Sequence, residues 1–177
     1  MTTRVFFALA VLLSVATMGA VAAGTNPAGE YSKHFDALSK LSIAVAEAMP
    51  LEQYDFRPHA DSMTFGQLMV HIATTNYQFC AGLKDSDPPA LPDSLKNPSA
   101  MPAKQGIVKV LTDSFTFCSD VISNLTDEQL NAVHSSPDGR LPGREVLLAM
   151  FVHVAHHRGQ AEIYLRDKGI KPPPYRV

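Results

Sequence analysis

Three histidines stand close together near the end of the chain, at positions 153, 156 and 157. With about 100° of rotation per residue on a helix, His153 and His157 share one side, and His156 lies at its margin. Two neutral imidazoles one turn apart can bind the same divalent cation, whereas two protonated rings would be costly buried like charges. The H-x-x-x-H spacing therefore indicates part of a metal site.

A third ligand must come from another helix. His71 is the candidate, because it lies at the edge of the apolar stripe of an earlier amphipathic segment. His34 is a weaker candidate, and His59 and His134 fall in predicted loops, where we expect solvated side chains. A lone helix histidine is often a hydrogen-bonded core residue, and an H-x-x-x-H pair also arises by chance, so histidines without metal remain an alternative.

Four predicted helices position these side chains. Apolar residues recur at helical spacing in each of them, and no segment has the pattern of a good strand; the predicted ranges are 29–49, 64–83, 104–125 and 142–168. Pro50 ends the first helix, because proline removes a backbone donor and disfavours helix in the residue before it. Thr64 and Gln67 predict a capping box at the start of the second helix, and Gly169 ends the last.

The longest connection, residues 85–103, contains five prolines, a density that prevents a continuous helix. Such a crossover lets the second and third helices run parallel. Thr126 can cap one short turn, and residues 137–139 predict another turn. Together these features predict an all-α fold: a four-helix bundle with a long Pro-rich crossover between helices two and three.

The first 23 residues have the order of a secretory signal peptide. Arg4 supplies a positive charge, an apolar run covers residues 5–21, and small residues follow at 20–24. The run is short for a membrane anchor, which needs roughly 20 strongly apolar residues. We therefore predict a signal peptide at 1–23 and one exported domain at 24–177, periplasmic or secreted, with no stable membrane span after cleavage.

Export changes the interpretation of the two cysteines. Cys80 and Cys118 form an even pair in an oxidising compartment, which favours a disulfide between them. The alternative is two separate buried thiols that behave as small apolar residues.

The composition and motifs exclude several classes. The formal net charge is -2 and only 18% of residues are charged, so no broad basic surface is available for nucleic acid. The sequence has no P-loop, no dinucleotide-binding glycine pattern, no G-x-S-x-G elbow and no H-E-x-x-H motif. The histidines therefore remain the chemistry-bearing set.

Two parts of the sequence resemble a known family, the DinB-like (DinB/YfiT) proteins, which are distinct from the polymerase that shares the name. The end of the chain resembles the family's closing helix through HVAHHRGQ at 153–160, YLR at 164–166 and GIKPP at 169–173. The entry to its second helix is matched by YDFRP at 54–58, SMTFG at 62–66 and HIA at 71–73. The likeness covers nearly the whole mature chain.

The resemblance implies a four-helix bundle with a divalent metal at one end. The family's ligands, one from the second helix and two from the fourth, match His71, His153 and His157 here. Some relatives are thiol-dependent transferases and others are described as metal-dependent hydrolases. An export signal disfavours the interpretation as a thiol-dependent transferase, because low-molecular-weight thiols are scarce outside the cytoplasm.

Three neutral histidines leave open positions on a divalent ion, whereas a closed structural site normally has four protein ligands. An open site can activate water or polarise a carbonyl group. We therefore predict a metal-dependent hydrolase or related transferase that uses zinc or nickel, which imidazole suits, on a small-molecule substrate. Gln160 and Tyr164 lie further along the inner side and could orient water or substrate, although packing is the favoured role of Tyr164.

Two alternatives belong to other classes. One is a non-catalytic exported metal-binding or interaction protein, which the lack of an obvious general base near the histidines favours. The other is a purely structural bundle whose histidines bind nothing. The sequence is also compatible with a homodimer.

Overall fold

The structure is a computed structural model that describes residues 27–96 and 104–175. Four long helices form a bundle, and shorter elements connect them. In chain order the elements are α1 (Pro27–Ala48), a 3-10 turn (Leu51–Gln53), α2 (Phe65–Leu83), α3 (Asp93–Lys96), α4 (Lys104–Ser123), α5 (Asp127–Asn131), β1 (Val133–Ser136), β2 (Gly139–Pro142) and α6 (Gly143–Asp167). The predicted all-α class is confirmed.

Each predicted helix corresponds to one long helix whose ends lie within two residues of the predicted ones. The predicted signal peptide, residues 1–23, lies outside the described residues. Among the helices of the described ranges, none combines the length and the hydropathy that crossing a membrane requires.

Side-chain contacts give the direction of α2 relative to α4. Asn76 Nδ2 donates to Ser114 Oγ at 3.3 Å, and four residues further along both helices Cys80 is bonded to Cys118. Because the contacts advance together, α2 and α4 run parallel, as the Pro-rich crossover between them predicts.

The α1–α4 and α2–α6 pairs run antiparallel. Phe35 of α1 packs on Phe115 of α4, and the Lys104 ammonium at the start of α4 donates to the Met49 carbonyl oxygen just after α1 ends. In the α2–α6 pair, Cys80 Sγ lies 3.4 Å from Met150 Sδ, whereas residues just before α2 meet the end of α6. The bundle therefore has an up-down-down-up order.

All four long helices contribute to one buried core. Fully buried side chains come from each of them and include Phe35 of α1, Phe65 and Phe79 of α2, Ile107 and Phe115 of α4, and Leu147 and Met150 of α6. Each such side chain contributes about 1.5–3 kcal/mol relative to an exposed one. This core holds α2 and α6 at a fixed separation, which is the condition for side chains of the two helices to form a common site.

The start of α2 has the predicted capping box. Gln67 N donates to Thr64 Oγ1 at 3.1 Å, and Thr64 N donates to Gln67 Oε1 at 2.8 Å. The amide groups of Phe65 and Gly66 donate to backbone carbonyls of the preceding connector. These bonds satisfy the free donors of the first turn and fold the connector back beside the end of α6.

The expectation that the chain has no good strand was wrong. Residues 133–136 pair antiparallel with residues 139–142 around the predicted turn. The hairpin packs tightly on the end of α2, where a Cβ on Gly82 would lie 1.9 Å from the carbonyl oxygen of Ser135. Each strand has only four residues, which is too short for its alternation to be recognised in the sequence.

The expectation of a solvated His134 was also wrong. The residue lies on β1 and is only 3% exposed. Its Nε2 lies 2.8 Å from the Gln129 carbonyl oxygen, and its Nδ1 lies 3.2 Å from Asp85 Oδ1. Asp85 lies two residues after the end of α2 with a φ of 50°, a left-handed conformation that aspartate tolerates better than most residues. His59, by contrast, is exposed as expected.

Candidate metal centre

The structure brings together three histidines, which we call the histidine trio: His71 from α2, and His153 and His157 from α6. His71 Nε2 lies 3.1 Å from His157 Nε2 and 3.0 Å from His153 Nε2. The antiparallel pairing of α2 and α6 places His71 opposite the turn of α6 that carries the other two rings. Among the described residues, this is the group of side chains that could hold a metal ion.

The spacing of the trio fits a metal ion. A cation about 2.0–2.1 Å from each nitrogen in tetrahedral geometry separates the nitrogens by roughly 3.3 Å, close to the distances observed. The three Nε2 atoms face one another, and in the tautomer with its hydrogen on Nδ1 each ring presents a lone pair there, so one cation between them would satisfy all three. The donor set, which is nitrogen only, suits zinc, copper and nickel better than magnesium or calcium.

Burial keeps the trio neutral. Burial, the largest cause, acts together with the charges of the neighbouring His157, His71 and His156 to lower the pKa of His153 from 6.5 to about 4. Burial also lowers the pKa of His71, with a smaller contribution from the charge of His157. Burial is again the main cause of the lowered pKa of His157, although its hydrogen bond with Gln160 acts in the opposite direction. Neutral imidazole is the form that binds metal.

Gln160 contacts two histidines of its own helix. Its Oε1 lies 2.8 Å from His157 Nδ1, and its Nε2 lies 3.0 Å from His156 Nε2. His156 itself is exposed, as expected for a residue at the margin of the inner side. In contrast to His157, the buried Nδ1 of His153 has no hydrogen-bond partner within the described part of the chain.

Tyr164 is buried, and its hydroxyl donates to the Met63 carbonyl oxygen at 2.9 Å. Its ring packs edge-on against Phe56. Burial raises the pKa of Tyr164, while a hydrogen bond with Ser62 lowers it. These contacts give Tyr164 a packing role and tie the connector before α2 to the end of α6.

A cavity of about 470 Å³ opens beside the trio. One wall is formed by α6, and the other by the connector and the first turns of α2. Its lining residues are Pro58, Asp61, Ser62, Met63, Leu68, His157, Gln160, Ile163 and Tyr164. The volume falls within the range of small-molecule sites.

The connector residues of this cavity were missed from the sequence. Asp61 and Ser62 had no assigned role, because a connector has no periodicity from which a facing direction can be read. The signal that could have found them is the capping box at Thr64, which marks where the connector joins α2 and so places the preceding residues near the site.

The remaining candidates lie elsewhere. His34 lines a separate apolar groove between α1 and α6, together with Phe151 and Tyr175. Cys80 and Cys118 form a disulfide with a Cα–Cα distance of 5.5 Å. The disulfide joins α2 to α4 two to three turns beyond His71 and does not line the cavity beside the trio.

The model of the DinB superfamily matches residues 34–161, a segment that contains the whole trio. The chain therefore belongs to the DinB superfamily. It is also similar to the uncharacterised protein YjoA of Bacillus subtilis strain 168, with 25% identity over 145 residues, which are 80% of this chain and 91% of that protein.

Solved structures share the fold. The crystal structure of YjoA, a DinB-like protein, has a TM-score of 0.67 at 20% identity and covers 83% of this chain and 98% of its own. For a DinB-like protein of Bacillus cereus ATCC 10987 the TM-score is 0.69 at 17% identity, and the match covers 84% of this chain and 97% of that chain. For a conserved protein of Enterococcus faecalis the TM-score is 0.64 at 18% sequence identity. The match covers 81% of this chain and 97% of that chain.

Proposed function

We propose that this chain is an exported, metal-dependent hydrolase or related transferase that acts on a small molecule. The observation that carries the proposal is the convergence of three imidazoles, with His71 Nε2 3.1 Å from His157 Nε2 and 3.0 Å from His153 Nε2, beside a cavity of about 470 Å³. In a purely structural bundle the three nitrogens could only share hydrogen bonds with one another, whereas one cation would bind a lone pair of each.

The proposed metal is zinc or nickel, because imidazole ligands suit both. His71, His153 and His157 would hold it, and fewer than four protein ligands leave room for water or substrate. When bound, such an ion lowers the pKa of water towards neutrality and polarises a carbonyl oxygen. The chain's own part is to keep three rings neutral and aimed at one point.

The cavity walls define the proposed substrate. Met63, Leu68 and Ile163 offer an apolar surface, and Ser62 and Asp61 add polar groups on the connector side. A cavity of this size suits a small organic molecule rather than a folded partner. We propose that the reacting group lies near His157, with an apolar part of the substrate against the wall.

Export and assembly are also proposals. The N-terminal charge, apolar run and small residues support export to the periplasm or the medium, and a disulfide between α2 and α4 is typical of an oxidising compartment. A second copy of the chain is the proposed protein partner, since α6 exposes Leu148 and Val152 to solvent. Sedimentation of the mature protein tests this.

A second candidate is a non-catalytic exported metal-binding protein. The observation that favours it is the composition of the cluster: within the described residues, the group of possible ligands contains histidines and no carboxylate. A carboxylate beside the metal would be the usual general base of a hydrolase.

Two measurements test these candidates. Elemental analysis of the mature protein, purified without a histidine tag, should find close to one equivalent of zinc or nickel. A screen of ester, amide and thiol-electrophile substrates, with His157→Ala and the exposed His59→Ala as paired variants, then tests catalysis. Activity that survives in His157→Ala, or a protein that never binds metal, would refute the leading proposal.

A further inference from the structure

The side-chain amide of Gln160 bridges two imidazoles of α6. Its oxygen lies 2.8 Å from Nδ1 of His157, a trio member, and its nitrogen lies 3.0 Å from Nε2 of His156. We propose that Gln160 is a positioning residue that fixes the tautomer of His157, and that His156 holds the Gln160 amide in the required orientation. This inference rests on the proposed metal site, and it gives a role to a histidine that lies outside the trio.

The chemistry of the donors sets the direction of the bridge. An amide oxygen only accepts a hydrogen bond, so His157 must carry its hydrogen on Nδ1. Its Nε2 then keeps a free lone pair, and this is the nitrogen that lies 3.1 Å from His71 Nε2. The tautomer that Gln160 selects is therefore the one that can bind a cation within the trio.

The opposite orientation of the amide would work against the site. An NH₂ group facing His157 Nδ1 would require an acceptor there and would move the ring hydrogen to Nε2, into the centre of the trio. The amide nitrogen of Gln160 lies 3.0 Å from His156 Nε2, so His156 disfavours this orientation when its own ring hydrogen is on Nδ1 and its Nε2 accepts. The two histidines thus act on opposite ends of one amide.

The trio itself offers an internal contrast. The Nδ1 of His153 is buried and has no hydrogen-bond partner among the described residues, so no side chain there selects the tautomer of His153. His157 is more exposed to the cavity than His153 and is the ring that a substrate would approach. Fixing its tautomer matters most, because solvent can otherwise bond to either nitrogen.

The experiment uses the mature chain and Zn²⁺ alone as the probe. Gln160→Leu removes both hydrogen bonds and should weaken Zn²⁺ binding about tenfold, the lower end of outer-shell effects because Gln160 is exposed. Gln160→Glu keeps an acceptor toward His157 Nδ1 and should bind Zn²⁺ at least as tightly as the wild type. His156→Leu should give a smaller loss than Gln160→Leu. Affinity is measured by competition with a chelator.

A second readout does not require metal. Nitrogen-15 NMR of the metal-free protein reports which nitrogen of His157 carries the hydrogen, and we expect Nδ1–H in the wild type and in Gln160→Glu. In Gln160→Leu the population should shift toward Nε2–H. An unchanged tautomer and an unchanged Zn²⁺ affinity in Gln160→Leu would overturn the inference. If the wild type binds no Zn²⁺, the proposed function fails, while the NMR result still decides the role of Gln160.

Discussion

Along the antiparallel pair of α2 and α6, the end that carries the hairpin is closed by bonds, whereas the end that carries the histidine trio opens into a cavity. The closed end holds the Cys80–Cys118 disulfide and the buried His134. The open end holds three half-buried rings beside about 470 Å³ of space. Both ends include α2 and histidine side chains, although the disulfide partner comes from α4 and His134 comes from β1.

The histidines at the two ends differ in what faces their nitrogens. At the closed end, His134 lies between a backbone carbonyl oxygen and the Asp85 carboxylate, both of which accept hydrogen bonds. At the open end, the Nε2 atoms of the trio face one another, and burial lowers the pKa of each ring. Oxygen acceptors face the nitrogens of His134, whereas the Nε2 atoms of the trio face other ring nitrogens, an arrangement that one cation can bind.

This difference separates stability from binding. Groups at the closed end have protein partners, so changing them should cost folding free energy and leave metal affinity intact. At the open end the Nε2 atoms of the trio face one another, so replacing a trio histidine should cost metal affinity and little stability. Each of the following variants tests one side of this division.

The largest expected effect is on the disulfide. Replacing both Cys80 and Cys118 by alanine should lower the free energy of unfolding by about 4 kcal/mol, because the bond closes a loop of 38 residues in the unfolded chain. Urea unfolding of the metal-free protein measures this. The double variant avoids a leftover thiol. A variant that unfolds like the wild type but loses Zn²⁺ would show that the disulfide supports the site rather than the fold.

Removing a trio ligand should have the opposite outcome. We expect His153→Ala to weaken Zn²⁺ binding by more than about 100-fold, beyond the effect of outer-shell changes, since only two ligands remain. The free energy of unfolding without metal should change by no more than about 1 kcal/mol. Chelator competition measures the Zn²⁺ affinity, and urea unfolding measures the free energy of unfolding. The control is His59→Ala, an exposed position outside the trio. A drop in stability without loss of Zn²⁺ affinity would contradict the division.

At the closed end, His134→Ala should lower the free energy of unfolding by about 2 kcal/mol, because it leaves the buried Gln129 carbonyl without its donor. Zn²⁺ affinity should be that of the wild type. Asp85→Asn gives a finer comparison, since it keeps an oxygen acceptor near Nδ1 and should cost less. Equal free energies of unfolding for His134→Ala and His59→Ala would mean that the contacts of His134 stabilise the fold no more than those of a surface histidine.

Features that depend on short stretches of sequence were predictable. The α2 capping box requires only Thr64 and Gln67, and the end of the first helix requires only Pro50. The shared side of His153 and His157 follows from their spacing of four. The parallel α2–α4 pair follows from the length of the Pro-rich connection. In each case the determining residues are neighbours or lie within one connection.

Features that depend on distant partners were not predictable. His134 is buried because the hairpin packs against α2, about fifty residues earlier, at a point where Gly82 allows close approach. Asp61 faces the cavity because the connector folds back on the first turn of α2. Gln160 was assigned to water or substrate, whereas in the structure it bonds to His157 and His156. A helical wheel gives the side of the helix on which a residue lies. Its hydrogen-bond partner depends on the side-chain rotamer and on which other donors and acceptors lie nearby.

The last expected effect is a pH dependence of the free energy of unfolding that arises at the open end. Burial lowers the pKa of His153 to about 4 in the folded protein, while in the unfolded chain it returns to about 6.5. Between these values the unfolded chain binds a proton that the folded chain does not. The free energy of unfolding therefore has its full value above pH 6.5 and decreases as the pH falls toward 4.

His153→Gln removes this titration while keeping a polar side chain, so its unfolding free energy should depend less on pH than that of the wild type between pH 6.5 and 4. Both proteins share all other titrating groups, and the difference between their curves isolates the ring at position 153. Parallel curves would mean that the ring is solvated in the folded protein. The trio would then resemble an exposed cluster, and the contrast with the closed end would disappear.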